Sequence, residues 1–210
     1  LVDLVGGANT VVIGEDGRLH GLNTDVYGIT AALREHGVHT LERVLVLGSG
    51  ATAASVLAAV AELGAREVRI AARTPKNAEG LRPLADELGL SLVIAPIGDG
   101  IATTDAYGNA SFDLVVSTLP GGSIVTPAVP DTIVESSVLF DVAYDPWPSA
   151  LASRWIAAGS RVVPGIDMLL HQAIGQIRCF VGADASIALP DEATVLDRMR
   201  ESVGGAARAS

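Results

Sequence analysis

Short apolar runs alternate along this chain with longer stretches in which apolar positions recur every three or four residues. Val11 to Ile13 is strand-like, and Gly14-Glu15-Asp16-Gly17 reads as a turn into a second extended piece near Leu19. Asn23-Thr24-Asp25 supplies candidate helix caps, and Ile29 and Leu33 follow at helical spacing until Gly37. The pattern then predicts a strand at Val44–Leu47, a helix near Ala51–Leu63, a strand at Glu67–Ala71, a helix near Asn77–Leu88 and a strand at Leu92–Ala95. Further strands are expected at Asp113–Ser117, Val138–Val142 and Arg161–Val163. After Gly165, the residues Ile166, Leu169, Leu170, Ala173, Ile174, Ile177 and Phe180 mark one apolar stripe of a strong helix. A weaker helix is expected from Asp191 to about Val203, with 204–210 as a frayed tail.

Short strands that are apolar at every position must be covered on both faces. Their alternation with helices therefore predicts an α/β fold, a Rossmann-type parallel sheet with helices on both sides. Residues 25–165 carry that alternation, 1–24 precede it with a hairpin-like pattern, and 166–203 are helices that close the chain.

Composition narrows the class. With 49% hydrophobic residues and no low-complexity run, the chain is expected to be globular. Its apolar stretches are too short to cross a bilayer, and no basic segment followed by an apolar run suggests a signal peptide. A single cysteine, Cys179, excludes an internal disulfide framework and a cysteine-based metal cluster, and it fits a reducing cytoplasm. The net charge of −10 disfavours nonspecific attraction to nucleic acid or an anionic membrane. The acidity still permits an anionic ligand where a few arginines cluster.

Arg73 matters for that reason, and a glycine-rich turn precedes it. In Val44-Leu-Val-Leu-Gly48-Ser49-Gly50-Ala51-Thr52-Ala53, Gly48 permits a tight turn, Gly50 lets backbone approach a pyrophosphate, and the small Ala53 permits close helix-to-strand packing. The following helix would present unpaired N–H groups to phosphates. Any strand-to-helix turn can use glycines in this way, but the apolar strand before it and the alanine-rich helix after it favour a dinucleotide. NAD-preferring sites place an acid near the end of the second strand, whereas Ala71-Ala72-Arg73-Thr74-Pro75-Lys76 has none. Arg73, Thr74 and Lys76 suit a 2′-phosphate instead, so NADP is the expected cofactor.

Several motifs resemble those of the shikimate dehydrogenases, in the family's order and over nearly the whole chain. They are Gly7-Ala8-Asn9-Thr10-Val11, Asn23-Thr24-Asp25-Val26-Tyr27-Gly28, the Gly48 turn, Ala72-Arg73-Thr74, Asp141-Val142-Ala143-Tyr144-Asp145-Pro146 and Gly165-Ile166-Asp167-Met168-Leu169-Leu170-His171-Gln172. The resemblance implies a reversible NADP-dependent reduction of 3-dehydroshikimate, within aromatic amino-acid and chorismate biosynthesis. It implies that Asp25 binds substrate and orients a proton-exchanging lysine, that Asn9 holds a ring hydroxyl, and that Gln172 hydrogen-bonds substrate. Tyr144 would reach substrate or cofactor, Met168 would pack near the nicotinamide, and Gly165 would contact its carboxamide end. Ser117 and Thr118 would meet the nicotinamide ribose, although many members carry Asn-Ala-Thr there. His171 is read as structural, and no metal is expected. Taken without the resemblance, Asp25 reads as a helix cap, Met168 as core, and Gln172 as a surface amide.

The same resemblance implies that residues 1–24 are the end of a second α/β substrate domain. The family's serine-rich carboxylate site and Asn-Val-Thr-x-Pro-x-Lys motif are not found, and Lys76 is the only lysine. The expectation is a truncated or processed chain lacking the catalytic lysine, with a homodimer left open. Quinate or aminoshikimate dehydrogenases share every motif present, and a residual NADP-binding module without catalysis is a further reading. Methylene-tetrahydrofolate dehydrogenases and glutamyl-tRNA reductases fit the Asn-Thr-Asp and Met-Leu-Leu-His-Gln segments poorly.

Overall fold

A strand buried on both faces has no position left for a polar side chain, and Val44 to Leu47 are all at 0% exposure. The computed structural model describes residues 2–98, 101, 111–122, 127–182, 185 and 187–207. A short helix α1 (Val2–Val5) precedes an antiparallel hairpin of β1 (Thr10–Ile13) and β2 (Leu19–Leu22), and helix α2 (Asp25–Glu35) follows. Then come β3 (Arg43–Leu47), α3 (Ala51–Glu62), β4 (Glu67–Ala72), α4 (Pro75–Ala78), α5 (Arg82–Glu87) and β5 (Ser91–Pro96). The second half holds β6 (Leu114–Ser117), α6 (Asp131–Ser136), β7 (Val138–Asp141), α7 (Ala150–Ala157), β8 (Val162–Pro164), α8 (Gly165–Gly182) and α9 (Glu192–Ala207).

Strands β3 to β8 form one parallel sheet in the order β5-β4-β3-β6-β7-β8. Alternate residues of β3 serve opposite cores. Val44 and Val46 pack with Ile29 and Leu33 of α2 and Val56 and Leu57 of α3, whereas Leu45 and Leu47 pack with Ile133 of α6 and Leu151 and Trp155 of α7. The expected α/β sheet with helices on both faces is present. Its strand order reverses between β3 and β6, which opens a crevice beyond their C-terminal ends, the place where such sheets bind ligands.

Four differences from the expected elements have local causes. The helix near Asn77–Leu88 is broken into α4, a 3₁₀ turn at Glu79–Leu81 and α5, with Pro83 seated in the first turn of α5 where its missing N–H costs nothing. The short helices α6 and α7 were not expected, because one or two turns leave too few repeats for periodicity to show. Helix α9 continues past Gly204 to Ala207, so the first residues of the expected tail are helical. The buried face of α8 is Met168, His171, Gly175, Arg178 and Cys179 along with Leu170 and Ile174, while Phe180 of the expected stripe is 63% exposed. That face is partly polar because it lies against α2. A Cβ on Gly28 would fall 2.7 Å from the Met168 carbonyl oxygen, and one on Gly175 would fall 3.2 Å from Thr24 Cβ.

Candidate active site

The reversal of strand order holds a cleft of about 510 Å³, bordered by Asp25, Thr52, Thr118, Tyr144, Gly165 and Met168. Residues from five separate stretches of sequence are thereby brought to one place. Leu119, Pro120 and Gly121 complete one wall, and sequence reasoning missed them as site residues. A Cβ on Gly121 would fall 2.5 Å from the Asp145 carbonyl oxygen, so glycine is what lets that wall close on the Tyr144 loop.

On the cofactor side, Gly48 adopts φ +108°, and a Cβ there would fall 2.5 Å from Thr118 Oγ1. Both the backbone angle and the contact require glycine. Gly50 differs, since no heavy atom lies within 4 Å of where its Cβ would stand. That open space lies at the N-terminus of α3, where no side chain caps the helix and no acid occupies the first turn. The first N–H groups of a long helix, unobstructed by Gly50, are of the kind that can bind a phosphate. Ser49 is half-buried, Ala51 is exposed, and Ala53 is at 0% exposure where α3 meets the sheet. Arg73, Thr74 and Lys76 are exposed on the turn after β4, and among the described residues neither cation is in an ion pair. These residues fit a dinucleotide bearing a 2′-phosphate.

Ser117 and Thr118 separate. Thr118 borders the cleft and donates through Oγ1 to the Leu47 carbonyl at 3.1 Å. Ser117 is 2% exposed and faces a smaller cavity of about 230 Å³ with Asp141 and Ser149, because adjacent residues at a strand end point to opposite faces. Asp141 is itself anchored by Ser149 Oγ at 2.5 Å and by the Ala143 N–H at 3.2 Å.

Asp25 borders the cleft and ties it to a side-chain network with Asn9 and Gln172, which do not themselves border it. Asn9 Nδ2 donates to Asp25 Oδ1 at 2.7 Å and lies 3.5 Å from Gln172 Oε1. Asn23, not Asp25, caps α2: its Oδ1 accepts from the Asp25 and Val26 N–H groups at 3.0 and 3.4 Å. The Asp25 carboxylate is thus released from the capping role its position suggests. Burial lifts its pKa above the usual carboxylate value, and the Asn9 hydrogen bond offsets only part of that rise. Gly165 is held by close approach to the Val142 carbonyl, and Tyr144 reaches the cleft while 55% exposed.

Two contacts between α2 and α8 flank the cleft residues of α8. His36 Nε2 lies 2.8 Å from Asp167, the neighbour of Met168, and His171 Nε2 lies 2.8 Å from Glu35, beside Gln172. His171 therefore sits on the structural face expected of it, 9% exposed. Lys76 does not border the cleft. Among the described residues no group of three or more His, Cys, Asp or Glu side chains could hold a metal ion, and no helix is long and apolar enough to cross a membrane.

No protein-family model matches the chain. It is 39% identical over 186 residues to a shikimate dehydrogenase (NADP(+)) of Rubrobacter xylanophilus, covering 87% of this chain and 64% of that protein. It is 33% identical over 199 residues to a shikimate dehydrogenase (NADP(+)) of Cereibacter sphaeroides, covering 92% of this chain and 68% of that protein. Among solved structures, the Mycobacterium tuberculosis shikimate dehydrogenase superposes with a TM-score of 0.72 at 32% identity, over 93% of this chain and 68% of that one. The chain thus spans roughly two thirds of the length of the relatives it matches, and over that span it belongs to the shikimate dehydrogenase family.

Proposed function

We propose that these residues form the NADP-binding part of a dehydrogenase that interconverts 3-dehydroshikimate and shikimate, with 1–24 contributing the edge of its substrate domain. The observation that carries this reading is the single cleft in which Thr52, Thr118, Gly165 and Met168 face Asp25. NADP, when bound, supplies or accepts the hydride. The α3 N-terminus and Gly50 bind its pyrophosphate, Arg73, Thr74 and Lys76 its 2′-phosphate, and Met168 and Gly165 its nicotinamide end. Asn9, Asp25 and Gln172 hold the ring hydroxyls of the substrate, with Tyr144 covering them. Asp25, buried enough for its pKa to rise, holds or releases a proton near the reacting oxygen.

Proton exchange at that oxygen in this family is assigned by resemblance to a lysine paired with the aspartate, and the sole lysine here, Lys76, is on the exposed adenosine side. The 210 residues on their own are therefore expected to bind NADP and to turn over little substrate. Calorimetry measures the first and NADPH absorbance with 3-dehydroshikimate the second, against a relative of full family length. Turnover equal to that relative's would remove the lysine from the mechanism. Absence of NADP binding would remove the cofactor assignment.

A further inference from the structure

We propose that Thr24 is a positioning residue that fixes the orientation of the Gln172 amide, so that the site presents one donor beside one acceptor and selects an alcohol oxygen. The inference rests on the reading of Asp25 and Gln172 as substrate ligands. The Thr24 hydroxyl is 1% exposed and lies 3.2 Å from Gln172 Oε1 and 3.2 Å from Asn9 Oδ1. It has one proton to give. Asn9 Oδ1 already accepts from the Thr24 N–H at 3.0 Å and from Thr10 Oγ1 at 2.9 Å, which fill its two lone pairs. The Thr10 hydroxyl is directed there because it accepts from Gln176 Nε2 at 3.2 Å, one helical turn beyond Gln172. The Thr24 proton is therefore committed to Gln172 Oε1.

That commitment decides which end of the Gln172 amide is available. With Oε1 held by Thr24, Nε2 has no hydrogen-bond partner among the described residues, and no buried side-chain nitrogen or oxygen among them is left unsatisfied. Nε2 is thus an open donor. Asn9 Nδ2 spends its short bond on Asp25 Oδ1 at 2.7 Å, leaving the other carboxylate oxygen as an acceptor. With Asp25 ionised, an atom bridging the two accepts from Gln172 and donates to Asp25. A hydroxyl does both, whereas a ketone oxygen can only accept and an ammonium can only donate.

The test uses Thr24→Val, which keeps the shape and removes the hydroxyl, and Thr24→Ser, which restores it. In ¹⁵N-labelled protein, the Gln172 side-chain amide signals, assigned with Gln172→Glu, are expected to shift in Thr24→Val and to return near their original positions in Thr24→Ser. Shikimate affinity is expected to fall about tenfold in Thr24→Val and to recover to within about twofold in Thr24→Ser, the range set by one hydrogen bond. NADP affinity is expected to stay unchanged in both. Unshifted Gln172 signals in Thr24→Val would overturn the proposal, and should that variant fail to fold, a displaced Gln172 signal in Thr24→Ser would do so. Shifted signals without shikimate binding by any form, wild type included, would leave Thr24 orienting the amide while removing the substrate reading and the alcohol selection built on it.

Discussion

The proposed cofactor end of the site and the polar network around Asp25 are built on opposite principles. At the cofactor end the binding groups are uncommitted: open backbone N–H groups, the vacant space at Gly50, and cations on an exposed turn with no ion-pair partners among the described residues. At the polar end nearly every group is already engaged, through Asn9, Thr10, Thr24, Asp25, Gln172 and Gln176. A dinucleotide phosphate is a strong multivalent anion that repays ordering flexible cations when it arrives. A ring hydroxyl offers one or two neutral hydrogen bonds, so its site must be organised in advance for those bonds to discriminate.

Arg73→Ala should have the largest effect and confine it to the cofactor end. NADP binding is expected to weaken by about 1.5–3 kcal/mol, the worth of a hydrogen bond to a charged group. NAD binding and melting temperature are expected to stay the same, because Arg73 is exposed and unpaired among the described residues. Calorimetry with both dinucleotides reads this, and equal losses for the two would mean that Arg73 does not meet the 2′-phosphate.

Gly28→Ala should act at the other end by forcing α2 from α8. The added Cβ would stand 2.7 Å from the Met168 carbonyl oxygen and 2.9 Å from Gln172 Cβ, both on a packed helix. A loss of about 1–3 kcal/mol in denaturant unfolding is expected, as for other overpacked contacts. Shikimate binding should weaken while NADP affinity changes little. A variant as stable as wild type would show that the helices can separate at no cost.

The smallest effect is one of pH. Because burial raises the Asp25 pKa in the folded state, its contribution to stability is present below the unfolded carboxylate value and is lost as pH rises through the folded value. Asp25→Asn should therefore melt higher than wild type at neutral pH, with the advantage shrinking toward acid. Glu192 has the opposite sign. Its hydrogen bond from Arg178 lowers its pKa, so its contribution is present above the ordinary glutamate value and is lost as pH falls. Glu192→Gln should melt lower than wild type at neutral pH and converge with it in acid. Thermal melts at several pH values would separate the two, and a parallel response in both variants would contradict the opposite environments assigned to them.

The alternation of apolar strands and amphipathic helices, the Gly48 turn and the cations after β4 were all legible in the sequence, because each is a local pattern with a local cause. The break between α4 and α5, the helices α6 and α7 and the exposure of Phe180 were not. Short helices lack periods to count, and a helix face is decided by whatever packs on it. Asp25 marks the boundary most clearly. Its position before an apolar run reads as a cap, and only the fold reveals that Asn23 takes that role and leaves the carboxylate to Asn9.

By itself the sequence determined the class of fold, the glycine turn before α3 and the absence of any lysine other than Lys76, since these depend on neighbouring residues or on composition alone. Tertiary structure decided the rest. It set α8 against α2 through Gly28 and Gly175, turned Thr118 into the cleft and Ser117 away from it, and brought Thr24 onto Gln172 from 148 positions along the chain. The physical reason is that a hydrogen bond depends on ångström-scale placement and direction, and sequence spacing carries neither once the partners lie on different elements.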